Sequence, residues 1–119
     1  MPFLFTAHPV IELSITERKV QQTDEYINIK MKRKQQKKGA IVVPWKLLME
    51  SPDSVYNNVK GEVSLQDGDE ESDIIIKLPQ VPLPQEEDNF TVVLEKPTGF
   101  GAKLGKNTAC DITINNNYG

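Results

Sequence analysis

The strongest constraint on the fold of this chain is a two-residue alternation of apolar and polar side chains that recurs in short segments. In the segment YINIKMKRK, residues 26–34, isoleucine or methionine occupies every second position as far as Met31, and the positions between are polar. Successive side chains of a β-strand point to opposite faces, so this spacing is typical of a strand with one buried face. No segment has a convincing helical period, and the sequence therefore predicts an all-β protein.

Seven segments have this pattern, and residues typical of turns separate them. The predicted strands are residues 10–16, 26–34, 40–48, 62–66, 72–78, 90–95 and 109–114. Short strands in this number predict an immunoglobulin-like Greek-key β-sandwich of about seven strands. The predicted core consists of apolar residues from one face of each strand: Leu13, Ile29, Val43, Trp45, Val63, Ile74, Ile76, Phe90, Val92 and Leu94.

Two positions qualify the strand predictions. Glu17 follows the first alternating segment, and we interpret it as the end of that strand and the start of a polar turn. Pro44 lies within the third segment. Because proline has no backbone N–H for a ladder, we expect this strand to lie at a sheet edge or to be bulged there.

The length and composition fit a single domain. A chain of 119 residues can bury one core, so residues 1–119 are assigned to one domain, with residues 1–8 as a lead-in linker. No apolar run approaches the roughly 20 residues of a membrane span, and direct membrane insertion is not expected. Cys110 is the single cysteine and His8 the single histidine. With no phosphate loop, metal cluster or paired carboxylates in a plausible cleft, an enzyme is not expected.

Charge is distributed unevenly along the chain. Residues 18–46 contain nine basic and two acidic residues, whereas residues 47–119 contain five basic and thirteen acidic ones. We define the basic patch as the cationic side chains around the second predicted strand: Lys30, Lys32, Arg33, Lys34, Lys37 and Lys38. It suggests an anionic partner such as a heparin-like polymer or acidic lipid, the alternative being a solvated hairpin that protects a sheet edge. No aromatic residues interleave with these cations, so nucleic acid is not expected.

The last third of the chain has a characteristic order of elements. The acidic turn EEDNF, residues 86–90, leads into a strand, and a glycine-rich loop then ends at Leu104 and Gly105. The strand DITI, residues 111–114, runs into three asparagines at 115–117. This order resembles the C-terminal signature of Calx-beta domains, which has an acidic E-E-D-E turn, F-x-V-x-L, Leu-Gly, and A-x-V-T-I before three aspartates. Weaker matches extend the resemblance over residues 9–118.

The resemblance implies a calcium site at one end of the sandwich, but several ligand positions depart from the family pattern. Glu17 and Asp88 keep a carboxylate, whereas Asn116 and Asn117 stand where the family has aspartates. Other family ligand positions fall on uncharged residues: Val55, Gln80, Val81 and Gln85. Because calcium affinity depends on ligand charge, the resemblance implies a weak or vestigial site formed by the first four residues. No cofactor is required, and calcium binding is possible but weak.

The resemblance also implies a non-catalytic role. Calx-beta domains occur in extracellular arrays such as that of the very large adhesion G-protein-coupled receptor, and residues 115–119 resemble the joint to a following module. The implied function is a structural or adhesion module whose partners are neighbouring Calx-beta modules and possible adhesion proteins. Asn89 begins an Asn-Phe-Thr sequon, a candidate glycosylation site in an extracellular domain. The alternatives are a cytosolic calcium-binding domain of the sodium–calcium exchanger type and an anion-binding module that uses the basic patch.

Overall fold

The computed structural model describes residues 8–21, 23–49, 59–78 and 87–115. Within these ranges the chain forms nine β-strands and no helix. The strands are β1 (Val10–Leu13), β2 (Glu17–Gln21), β3 (Tyr26–Lys34), β4 (Ile41–Leu48), β5 (Lys60–Leu65), β6 (Glu71–Lys77), β7 (Glu87–Leu94), β8 (Lys103–Leu104) and β9 (Ala109–Asn115). No helix in the described ranges is long and apolar enough to cross a membrane.

The strands form two sheets that pack face to face. One sheet has the order β6-β3-β1-β8 and the other the order β2-β9-β7-β4-β5. Their facing sides are apolar because each long strand turns alternate residues inward, as in β3, where Ile27, Ile29 and Met31 are buried. All ten residues predicted for the core are buried, and the predicted all-β sandwich is confirmed.

The prediction that Glu17 begins a turn is wrong, because Glu17 is the first residue of β2. Residues 14–16 carry the chain from one sheet to the other: Ser14 N donates to Lys30 O at 2.9 Å, and Asp111 N donates to Thr16 O at 2.9 Å. β2 then pairs in parallel with β9. Its sequence, ERKVQ, contains one apolar residue, so the hydrophobic alternation that marks the other strands is missing. The two-residue β8 was missed for a similar reason, because it is too short to show a period.

Pro44 lies in β4, which is a central strand, so the first alternative, an edge strand, is wrong. The second alternative, a bulge, is present in the ladder beside Pro44. β4 pairs with β5 on one side and with β7 on the other. Trp45 is opposite Leu94 and Val42 is opposite Thr98, which leaves one extra residue on the second chain segment between the two pairs. The bulge falls where proline offers no N–H, and Glu95 N still donates to Pro44 O at 2.8 Å.

The two ends of the sandwich carry different loops. At the end that we name the His8 end, residues 8–9 lie with the β3–β4 loop, the β5–β6 turn and the β7–β8 loop, since Val10 pairs with Lys34. At the opposite end, the Asn115 end, Asn115 pairs with both Glu87 and Gln21. The predicted lead-in linker and terminal joint lie outside the described residues except for His8 and Asn115.

Candidate functional site

The Asn115 end is where the resemblance to Calx-beta domains implies a calcium site. Three residues on neighbouring strands are level there: Gln21 on β2, Asn115 on β9 and Glu87 on β7. By strand alternation all three belong to the outer face of the five-stranded sheet. Only Glu87 is charged, so this row contributes a single negative charge.

Two nearby carboxylates take part in hydrogen bonds to the backbone. Asp24 Oδ2 accepts from Gln21 N at 3.1 Å in the turn between β2 and β3. Asp88 Oδ1 accepts from Asn89 N at 2.9 Å, and its side chain is on the inward-facing side of β7. These bonds give both carboxylates a local structural role, Asp24 in a turn and Asp88 in a strand.

The structure does not bring the predicted ligands Glu17 and Asp88 together. Glu17 is level with Asp111, whereas Asp88 is level with Ile114 on the opposite side of β9. A separation of three residues corresponds to about 10 Å along the strands, in addition to two strand spacings of about 4.8 Å each. Asn116 and Asn117 lie outside the described residues. Within the described ranges, no group of three or more Asp, Glu, His or Cys residues is placed to hold a metal ion.

Glu17 lies away from the Asn115 end because of the strand that follows it. The sequence interpretation ended the first strand before Glu17, but the chain continues through β2 and only reaches the level of Asn115 at Gln21. The residue that stands at this level is therefore a neutral amide instead of a carboxylate. Glu17 itself is exposed beside Asp111 on the outer face, where Thr91 Oγ1 donates to Asp111 Oδ1 at 2.9 Å.

Asn89 is exposed on the outer face of β7. It is opposite Thr113 and lines a shallow polar depression together with Glu17, Thr91 and Asp111. Glycosylation of Asn89 stays a prediction.

Three of the six cations of the basic patch form ion pairs within the chain. Lys30 Nζ lies 3.5 Å from Glu71 Oε1, Lys34 Nζ lies 3.2 Å from Glu12 Oε1, and Lys37 forms an ion pair with Glu70. For Lys32 and Lys38 no ion pair is present among the described residues. The net positive charge available to an anionic partner is therefore smaller than the sequence indicates.

Arg33 does not belong to the surface patch, and that part of the prediction is wrong. Its position continues the inward phase of β3, and the residue is 4% exposed. The guanidinium donates to three carbonyl oxygens of the β3–β4 loop: Gln36 O at 2.6 Å, Lys38 O at 2.5 Å and Gly39 O at 2.8 Å. Carbonyl dipoles satisfy the buried charge, and Arg33 thereby holds the loop in place. Extending the alternation of Ile27, Ile29 and Met31 by two residues would have revealed this burial.

Glu12 is a second anchor that the sequence analysis did not single out. The hydrogen bond from Lys34 is the main reason why the pKa of Glu12 lies below its ordinary value, and burial opposes this effect. Its side chain is 13% exposed, and Asn107 N donates to Glu12 Oε2 at 3.3 Å. A Cβ on Gly105 would lie 2.4 Å from Cγ of Glu12, so the Leu-Gly element of the loop is needed to make room for this carboxylate.

The β7–β8 loop presents Phe100 on a backbone that side chains rarely adopt. Phe100 has φ +51° between Gly99 at +110° and Gly101 at +67°, and it is 61% exposed. Its ring lies against Gly39, where a Cβ would come within 2.3 Å of the ring. The loop thus packs on the β3–β4 loop that Arg33 holds.

Cys110 is buried on β9, and burial raises the pKa of its thiol. A buried thiol with a raised pKa is a packed side chain and a poor nucleophile.

The fold places this chain in the class of two-sheet β-sandwich proteins. No protein-family model matches the sequence, and no curated protein matches it. The fold is similar to the apo form of the Calx CBD1 domain, with a TM-score of 0.78 and 16% identity over 93% of this chain and 99% of that one. It is also similar to the Calx CBD2 domain, with a TM-score of 0.75 and 12% identity over 92% of this chain and 87% of that one.

A more distant similarity joins this chain to a two-domain protein of unknown function from Bacteroides fragilis. The TM-score is 0.68 at 13% identity, over 92% of this chain and 46% of that one. The chain therefore has the fold of the Calx CBD domains, as the sequence resemblance implied.

Proposed function

We propose that this chain is a non-catalytic structural or adhesion module of a larger multidomain extracellular protein, with a weak or absent calcium site. The observation that carries the proposal is the level row of Gln21, Asn115 and Glu87, in which only one of the three residues is a carboxylate, while the nearby Asp24 and Asp88 accept backbone hydrogen bonds. Calcium sites need six to eight oxygens, and their affinity follows ligand charge. A row with one charge does not supply the affinity of a calcium sensor.

The path of the chain suits a module in a tandem array. His8 and Asn115 lie at opposite ends of the sandwich, so neighbouring modules on the same chain would join end to end. Neighbouring Calx-beta modules are the proposed partners. The exposed Asn89 is available for glycosylation in the proposed extracellular location.

The second candidate function is a cytosolic regulatory calcium-binding domain. It is favoured by the similarity in fold to the Calx CBD1 and CBD2 domains and to the CBD12 pair of CALX1.1, which is described as calcium binding. The two functions differ in calcium affinity, so one measurement separates them.

The test is a thermal melt of the chain in chelator and in 0.1 mM free calcium, together with calorimetric titration. A Kd of about 1 mM would stabilise the native state by about 0.06 kcal/mol at this concentration, whereas a Kd of about 1 μM would stabilise it by about 2.7 kcal/mol. We expect no measurable shift in the midpoint. A rise of several degrees would favour the regulatory domain and overturn the first proposal. Asn115→Asp, which adds a carboxylate level with Glu87, is the matched variant expected to bind calcium more tightly.

Location is tested by secreting the chain from mammalian cells. The unmodified chain is expected to carry extra mass that peptide N-glycosidase removes, and Asn89→Gln should lack it. Thr91→Ser should keep the extra mass, because both the sequon and the hydroxyl that donates to Asp111 remain. An unglycosylated secreted chain would remove this support for an extracellular role.

A further inference from the structure

Among the sheet edges in the part of the chain that the structure describes, the edge formed by β6 differs from the other three. β8 has two residues, β2 is almost entirely polar, and β5 is interrupted by Gly61 opposite Trp45. Short or charged strands are a common means of preventing edge-to-edge pairing. β6, in contrast, is seven residues long, ESDIIIK; Ile74 and Ile76 are buried in the core, whereas Ile75 is exposed on the outer face among Glu71, Asp73 and Lys77. In the described ranges it pairs only with β3.

The hydrogen bonds define which groups of β6 face the open edge. Arg33 N donates to Glu70 O at 2.7 Å and Leu78 N donates to Glu25 O at 2.9 Å, just beyond the two ends of the strand. In this antiparallel register, residues 72, 74 and 76 are the ones bonded to β3. The N–H and C=O groups of Glu71, Asp73, Ile75 and Lys77 therefore point away from β3.

The outer face beside this edge carries two exposed apolar side chains among polar and charged ones. Ile75 is 58% exposed and Tyr26 is 53% exposed, two of the four exposed large hydrophobic residues in the described part of the chain. Ile75 is opposite Asn28 and Tyr26 is opposite Lys77, so the two side chains are diagonal neighbours on the same face.

The charges along the edge are self-complementary. When two copies of β6 run antiparallel about a two-fold axis at Ile74, Glu71 of one copy lies opposite Lys77 of the other, twice. Asp73 then lies opposite Ile75, and all four outward-facing residues of each strand form hydrogen-bonded pairs across the axis. Shifting the axis to Asp73 would place Asp73 opposite Asp73, which like-charge repulsion disfavours. Shifting it to Ile75 would pair Asp73 with Lys77 but leave Glu71 without a partner in the other copy of β6.

We propose that β6 is a self-association edge, through which two copies of this chain join their four-stranded sheets into one continuous eight-stranded sheet. The occupant of the edge is a second copy because its strand supplies hydrogen-bond partners for the outward-facing backbone groups and a Lys77 opposite Glu71, whose carboxylate lies 3.5 Å from Lys30 within its own chain. Such an isologous interface closes on itself and produces a dimer. The main-chain bonds supply affinity and the Glu71–Lys77 pairs supply the register.

The first test compares two substitutions at Ile75 by sedimentation velocity over a concentration series. Ile75→Pro removes an N–H that faces the open edge and leaves the ladder to β3 intact, whereas Ile75→Val keeps that N–H and a β-branched side chain. We expect the unmodified chain and Ile75→Val to dimerise, and Ile75→Pro to dimerise at least about tenfold more weakly. Melting curves verify that both variants are folded.

A second test probes the register and does not depend on a proline. Glu71→Lys and Lys77→Glu should each weaken the dimer by about tenfold, because two attractive pairs become repulsive, and the double variant should restore it. Glu62→Lys, the same charge change on the edge strand β5, is the matched control and should have no effect. A chain that is monomeric at all concentrations, a dimer unaffected by the edge variants, or a double variant that restores nothing would overturn the proposal.

Discussion

Replacing Arg33 by methionine tests the inference that one buried cation holds the His8 end of the sandwich. Its three bonds of 2.5 to 2.8 Å go to carbonyl oxygens of the β3–β4 loop, and the same loop is tied to the β5–β6 turn by Gly39 N to Asp67 Oδ1 at 2.6 Å. A hydrogen bond to a charged group contributes about 1.5–3 kcal/mol. The loss of three such bonds is partly offset, because methionine avoids the cost of burying a charge and because the released carbonyls regain hydrogen bonds to water. The expected net loss in the free energy of unfolding is about 2–4 kcal/mol.

The assay is urea denaturation followed by the fluorescence of Trp45, with Lys32→Met as the exposed control on the same strand. Arg33→Lys should recover less than half of the loss, because an ammonium cannot reach three carbonyls as the planar guanidinium does. Since the partners of Arg33 are neutral, the loss should be the same in 0.5 M salt, whereas a surface ion pair would be screened. A loss below about 0.5 kcal/mol, the range of ordinary surface substitutions, would refute the inference that Arg33 holds the His8 end.

Three further predictions concern packing, pH and the thiol. Gly61→Ala should destabilise the fold by about 1–3 kcal/mol and shift the Trp45 emission, because a Cβ there would lie 2.6 Å from Cζ2 of Trp45. Gly61 does not have a positive φ, so this loss reports the clash, whereas Gly68→Ala, with φ +89° and no atom within 4 Å of its Cβ, reports backbone strain without a clash and should leave the Trp45 emission unchanged. Glu12 contributes stability above its ordinary pKa of 4.5 and loses it as the pH falls through the lower folded pKa, so Glu12→Gln should reduce the drop in melting temperature between pH 7 and pH 3; an unchanged drop would contradict the anchoring role. The thiol of Cys110 should not react with a disulfide reagent at pH 8 until the chain is unfolded in urea, and rapid labelling of the native chain would show that β9 is not buried as described.

The sequence predicted the elements whose residues carry their own signal and missed those that depend on distant partners. The alternation through Ile27, Ile29 and Met31 was sufficient to find β3, and each of the seven predicted strands is present. β2 has no such alternation, because it is an edge strand stabilised by pairing with β9 about ninety residues later in the chain. Because β2 was not predicted, the ligand after the first strand was assigned to Glu17, which begins β2, whereas Gln21 at the end of β2 is the residue level with Asn115. The contact between Glu12 and the loop at Gly105 likewise joins residues that no local pattern connects.

The two ends of the sandwich are stabilised by different chemistry, and this difference bears on the proposed role. At the His8 end, the guanidinium of the buried Arg33 and neutral backbone carbonyls hold the β3–β4 loop. At the Asn115 end, the level row of Gln21, Asn115 and Glu87 carries one charge. Clustered carboxylates repel one another in an empty calcium site, and the ion relieves that repulsion. The described row has a single carboxylate and therefore no such repulsion within it, which supports the proposal of a weak or absent calcium site. A module built in this way would keep its stiffness whether or not calcium is present, and a calcium response of a parent protein would then arise in other modules.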